Sequence, residues 1–169
     1  MGRALALVIA ACLLIGCNAM EAWKKDAKVI RVGGKVMCQD CNQSWNEWVH
    51  AATPLKGCRV AITCMERGRV VYYTSDETDE EGEFEMHVNK YINGKELNCE
   101  ECRVRLMSSP DPQCNVLTNF GGGQTGVKLA QPSHVHRDLI KYTLTPFYFT
   151  SLMCDEPDTT ISQDQGSNY

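Results

Sequence analysis

Beyond its N-terminal segment the chain has no apolar run approaching the ~18 residues that a membrane-spanning helix requires, so no transmembrane segment is expected. It also lacks a basic excess: 17 Lys and Arg face 21 Asp and Glu, a formal net charge of −4. A nucleic-acid binder usually carries a basic face, and nucleic acid is therefore not an expected partner. Helical periodicity is nearly missing, and only residues 45–52 are patterned for a turn or two. No internal repeat or linker divides the chain, so one main domain is expected. Histidines number four, and no Ser/His/Asp arrangement can be assembled from them, so neither catalytic residues nor a cofactor is expected.

What is present begins at Arg3, which precedes the apolar run "ALALVIAACLLIGC" and the small-residue close Cys17-Asn18-Ala19. That is the outline of a secretory signal peptide over residues 1–19. The segment "LLIGC" also matches a bacterial lipoprotein signal in which Cys17 would be lipidated, but the downstream cysteines favour plain secretion. Of ten cysteines, Cys12 and Cys17 leave with the signal, and the remaining eight form the even set of a paired secreted domain. Losing Arg3 takes the formal charge from −4 to −5. A mature chain of about 150 residues can bury close to 70% of its unfolded surface, so the bridges add to a core that can stand without them.

Alternation at period two dominates the rest. In "LKGCRVAITC" Cys58, Val60, Ile62 and Cys64 share one face, with Arg59, Ala61 and Thr63 on the other. "KVIRVGGKV" places Ile30, Val32, Gly34 and Val36 together. "GEFEMHV" sets Phe84, Met86 and Val88 against Glu83, Glu85 and His87, and "CRVRLM" sets Cys102, Val104 and Leu106 against Arg103 and Arg105. "RVVYYT", "CNVLT", "LIKYTL" and "PFYFT" are further strand candidates. With turns of the "GRG", "DETDEEG", "NGKEL", "SSPDPQ" and "NFGGGQTG" type between them, the expected fold is all-β: a single antiparallel β-sandwich or barrel of about seven strands, stabilised by disulfides. The stretch from Asp155 to Tyr169 has almost no apolar content and reads as a flexible polar tail.

Six stretches in order, "VGGKVMCQDC", "TPLKGCRVAITC", "TDEEGEF", "CRVRLMSSPDPQCNVLTN", "GVKL" and "YTLTPFYF", resemble the Ole e I-like pollen allergen and extensin family of secreted plant proteins. The resemblance covers most of the mature chain and implies an Ole e I-like β-domain over residues 20–154. It implies an extracellular, often glycosylated six-cysteine domain without established catalytic activity, in pollen or cell walls. The family connectivity would join Cys38 to Cys114, Cys41 to Cys154 and Cys64 to Cys102. Cys58 and Cys99 are additions to that pattern, and their simplest reading is a fourth bridge, Cys58 to Cys99. The spacing is uneven, since Cys58 and Cys64 lie about 20 Å apart along a strand while Cys99 and Cys102 are three residues apart. The swapped pairing, Cys58 to Cys102 and Cys64 to Cys99, stays open.

Other readings of the motifs are weaker. The pairs Cys38/Cys41 and Cys99/Cys102 lie much farther apart than the about 15–20 residues of a zinc ribbon, and the secretory route favours disulfides over thiolates. A redox Cys-x-x-Cys opens a helix in a βαβ unit, whereas Cys38 ends a strand. The acidic run "SDETDEEGEF" has no Glu at the closing position of a calcium loop; Thr78, Asp79 and Gly82 read instead as a turn that aims Phe84 inward. "GGGQTGVK" has Val127 where a phosphate-binding loop needs lysine. His134 and His136 would share an extended face, but without a nearby carboxylate or cysteine they read as surface residues. Asn42-Gln43-Ser44 is the sole N-glycosylation sequence in the chain.

Trp45 and Trp48, on a disulfide-fixed loop, are the expected sugar-stacking residues, unless they seal the core end. Arg59, Arg103 and Arg105 point outward and would suit an acidic glycan such as pectin. The expected function is a secreted, non-enzymatic extracellular or cell-wall glycoprotein that binds wall polysaccharide or an arabinogalactan-type glycan. The alternatives are a protein ligand or modulator of a cell-surface receptor, and a hydrolase.

Overall fold

In the computed structural model, residues 27–39 and 52–152 are described. Signal peptide and tail, as well as Cys41, Asn42, Trp45, Trp48, His50 and Cys154, lie outside the described residues. The fold is all-β. Seven strands have four residues or more: β1 (Val29–Gln39), β3 (Arg59–Glu66), β4 (Arg69–Glu77), β5 (Glu83–Asn89), β8 (Cys102–Ser108), β12 (Leu139–Thr143) and β13 (Phe147–Thr150). Two-residue strands complete the set: β2 (Thr53–Pro54), β6 (Tyr91–Ile92), β7 (Lys95–Glu96), β9 (Val116–Leu117), β10 (Val127–Lys128) and β11 (His134–Val135).

The alternation that marks β1 in the sequence is what makes it central. Ile30, Val32 and Val36 are buried on one face, and both backbone edges are used. Over Val29–Gly33 it pairs with β12, and over Val29–Lys35 with β5; over Val36–Gln39 it pairs with β13, with β2 alongside at Met37–Cys38. The partners change around Gly33 and Gly34, where the Phe84 ring lies against the bare Gly34 α-carbon; a β-carbon there would sit 3.0 Å from the ring. The result is a seven-stranded sheet, and β10, β8, β3 and β4 form a second, four-stranded one. Val60, Ile62, Val104 and Leu106 from the second sheet join Val32, Phe84, Met86, Val88, Phe147 and Phe149 from the first in one apolar cluster.

Two expectations are corrected. The pairing is mixed, not wholly antiparallel, because β1 runs parallel to both β12 and β13. Parallel neighbours need a long crossover, and here nearly the whole described chain separates them. Cys58 and Cys99 are also not joined to each other; both are thiols. The bridges present are Cys38–Cys114 and Cys64–Cys102, which also removes the swapped pairing. Cys64 and Cys102 stand directly opposite on β3 and β8, and that antiparallel register sends Cys58 to the Ser108 end and Cys99 beyond the other. Six strand residues, about 20 Å, then separate Cys58 from Cys64, against the about 4–7 Å between α-carbons that a disulfide spans.

The acidic turn is built as its residues require. The Asp79 carboxylate accepts from the backbone N–H groups of Glu81 and Glu83 at 3.0 and 2.8 Å. Gly82 has φ +70°, and a β-carbon there would lie 2.6 Å from the Val36 carbonyl oxygen. Phe84 follows, buried. Thr78, buried beside the turn, donates to the Leu55 carbonyl at 2.5 Å and accepts from the Cys58 N–H at 2.9 Å, tying the turn to the start of β3.

Candidate functional site

The outer face of the four-stranded sheet follows from the period-two pattern. With Val60, Ile62, Val104 and Leu106 turned inward, the intervening residues of β3 and β8 face out, and strand pairing aligns them in rows. One row reads Tyr73, Thr63, Arg103 and Lys128 across β4, β3, β8 and β10. The next reads Ser75, Ala61 and Arg105, and a third Glu77, Arg59 and Ser108. Ala61, expected on the exposed side, is fully buried within its row.

The predicted cations therefore share a face, and the pairing adds Lys128 and Tyr73, which no local pattern linked to them. Arg59 is held by Glu77 at 2.9 Å, and that hydrogen bond and the charge behind it raise the Arg59 pKa further. Arg103 donates from Nη1 to the Gly126 carbonyl at 3.2 Å, which orients its guanidinium over the sheet. Among the described residues, Arg103, Arg105 and Lys128 have no ion-pair partner. Arg103 and Arg105 repeat at about 7 Å along the strand. The Tyr73 side of the face is open, with that residue 52% exposed. Guanidinium groups match carboxylates with paired hydrogen bonds, an exposed tyrosine offers a flat apolar surface and a hydroxyl, and a flat face suits an extended polymer better than an enclosed small molecule.

Among the described residues the histidines form no metal site. His87, Arg31, Lys141 and His134 fall into one cross-strand row over β5, β1, β12 and β11, so each of these two histidines has a cation as its neighbour. Among the described residues, no three His, Cys, Asp or Glu side chains cluster as a metal site, and no helix is long and apolar enough to cross a membrane. The Gly-rich loop forms a short 3-10 turn over Phe120–Gly122, then β10. Phe120 meets Tyr148 edge-on at 5.0 Å and covers the outer side of β13.

Two grooves were candidates for catalysis. One, of about 460 Å³, lies over Gly33 and has Asp79, Glu83 and Glu85 in its walls. All three carboxylates are engaged: Asp79 with its own turn, Glu83 with Lys35 at 3.3 Å and Glu85 with Arg31 at 3.5 Å. The other, of about 840 Å³, lies between the β3–β4 and β6–β7 hairpins. There the hydrogen bond and charge of Lys95 hold Glu66 below the usual carboxylate range, the opposite of what a general acid needs.

No family model matches the chain. It is 35% identical over 95 residues to the pistil-specific extensin-like protein of Nicotiana tabacum, covering 56% of this chain and 21% of that protein. It is 34% identical over 127 residues to proline-rich protein 1 of Arabidopsis thaliana, covering 71% of this chain and 33% of the relative. The non-classical arabinogalactan protein 30 of Arabidopsis thaliana is 26% identical over 103 residues, 61% of this chain and 41% of that protein. The chain thus spans a third or less of the first two relatives. The crystal structure of the major plantain pollen allergen Pla l 1 shares the fold, with a TM-score of 0.53 and 23% identity over 77% of this chain and 98% of the allergen.

Proposed function

We propose that this chain, which resembles the Ole e I-like pollen allergen and extensin family in fold and sequence, is a secreted plant cell-wall protein that binds acidic wall polysaccharide. One observation carries the reading: among the described residues, Arg103, Arg105 and Lys128 share, without ion-pair partners, the strand face that also carries exposed Tyr73. The names of the relatives, an extensin-like protein, a proline-rich protein and an arabinogalactan protein, support the extracellular setting. In this reading residues 1–19 are the signal, 20–154 form a two-layered β-domain and 155–169 a polar tail. A Cys41–Cys154 bridge adds to the two described, Asn42 carries a glycan, and Trp45 and Trp48 add stacking surface. The protein performs no catalysis and needs no cofactor.

The test is calorimetric titration of the purified, oxidised full chain with polygalacturonate and, separately, with a neutral galactan, at low and high salt. Polygalacturonate should bind and the galactan should not. The Arg103→Ala/Arg105→Ala double variant should lose at least about tenfold in affinity, roughly 1.4 kcal/mol. High salt should weaken the wild type, because exposed charges are screened within about a Debye length. Equal affinity in the double variant, or equal binding of the neutral polymer, overturns the reading.

A further inference from the structure

The strand β4 stands at the edge of its sheet. Among the described residues it pairs with β3 alone, along all but one of its nine residues, and its other edge has no strand partner. Proteins normally blunt so long an edge with charge, proline or a cover. The other long edge, β5, follows that rule, with Glu83, Glu85 and His87 on its exposed face. β4 carries charge only towards its ends, and between them Val70, Val71 and Tyr73 are 57%, 42% and 52% exposed. A bulge at Val71, which the register skips, twists the strand without removing the apolar surface.

We propose that β4 is a docking edge for a second copy of this chain, joined by antiparallel strand pairing about a two-fold axis. The occupant follows from the charge order along the strand. Its start is basic, with Arg67 and Arg69, and its end acidic, with Asp76 and with Glu77, which is paired with Arg59 of the same chain. Antiparallel self-pairing centred on the open stretch sets exposed Val70 of each copy against exposed Tyr73 of the other and brings Arg67 of each opposite Asp76 of the other. An isologous contact of this kind closes at two copies. The Asp76 carboxylate already accepts from the Glu85 N–H at 3.0 Å, so the Arg69–Thr74 part of the edge is the open part. One strand edge buries less than the ~800 Å² per partner of a standard interface, so the dimer assembles in the micromolar range rather than persisting at high dilution. A two-fold axis normal to the sheet keeps both outer faces on one side. If the proposed polysaccharide reading holds, the dimer therefore doubles the cationic strip on one polymer-facing surface.

Sedimentation equilibrium of the oxidised full chain, without polysaccharide, tests the dimer apart from that reading. A monomer–dimer equilibrium is expected for the wild type and a monomer for Val71→Lys, which places charge at an exposed position and leaves the thermal transition in place. Arg67→Glu, which reverses the charge set opposite Asp76 of the other copy, should weaken association at least about tenfold. Hydrogen exchange should protect β4 amides at high concentration alone. A wild type monomeric up to about 1 mM, open-ended growth beyond two copies, an unaffected Val71→Lys dimer, or protection at another edge would each overturn the proposal.

Discussion

Cys58 shows how a single side chain is set by its surroundings. It is fully buried, and burial raises its thiol pKa, opposed in part by hydrogen bonds from Ser109 and Thr78. The folded protein therefore keeps a proton that the unfolded chain releases above about pH 8.5. By linkage, this group's contribution to stability is present below that pH and is lost as pH rises towards and through the raised folded value. Urea unfolding at pH 7 and pH 10 should show a larger loss of stability for the wild type than for Cys58→Ala. Tyr142, whose hydroxyl is also raised by burial, with the Cys99 thiol adding to the shift, acts at still higher pH and is common to both proteins. Equal losses in the two proteins would show that Cys58 does not titrate differently on folding. The burial of Cys58 was legible in the sequence as one position of an alternating run. Its lack of a bridge was not, because pairing depends on the register of β3 against β8.

At the level of elements, that register is held by Cys64–Cys102, a bridge between directly opposite residues that closes a separation of 38 residues. Chain entropy for a loop of that size corresponds to about 4 kcal/mol. Cys64→Ser with Cys102→Ser should lower the unfolding free energy by up to that amount, read from urea midpoints at unchanged slope. A loss below about 1 kcal/mol would mean that β3 and β8 hold their pairing without the link. The strands that alternate cleanly, β1, β3, β5 and β8, are the ones with one face in the core, which is why their sequences announced them. β4 alternates poorly because its inner face, Tyr72, Thr74 and Asp76, is only half-buried and largely polar, and β13 because Phe147, Tyr148 and Phe149 are buried on both faces. The hairpin tips were visible as turn residues: Arg67-Gly68 and Asn93-Gly94 both take positive φ, the backbone of tight primed turns. For the candidate site, alternation alone placed Arg59, Arg103 and Arg105 outward. Lys128 and Tyr73 joined them through strand order, which no local period encodes.

The described fold is tied together by its first and last long strands. β1 meets β12 and β13 in parallel, and those two strands arrive only when the described chain is nearly complete. No local signal specifies such a pairing, and the hairpins that dominate elsewhere point to antiparallel neighbours instead. Contacts this distant in sequence are also slow to form, because the loop entropy is lost before the contacts can compensate it. Their weight can be estimated. Ile140, Tyr142, Phe147 and Phe149 are each at most 3% exposed, and at about 1.5–3 kcal/mol per buried large apolar side chain they contribute roughly 6–12 kcal/mol. That is comparable to the entire stability of an ordinary domain, about 5–15 kcal/mol. A chain ending at residue 138 should therefore show no cooperative thermal transition, even with Cys38–Cys114 and Cys64–Cys102 formed, and its tyrosine near-ultraviolet signal should collapse. A truncated chain that still melts cooperatively would mean that the four-stranded sheet folds as an independent unit, with β1 attached to it by β5 alone.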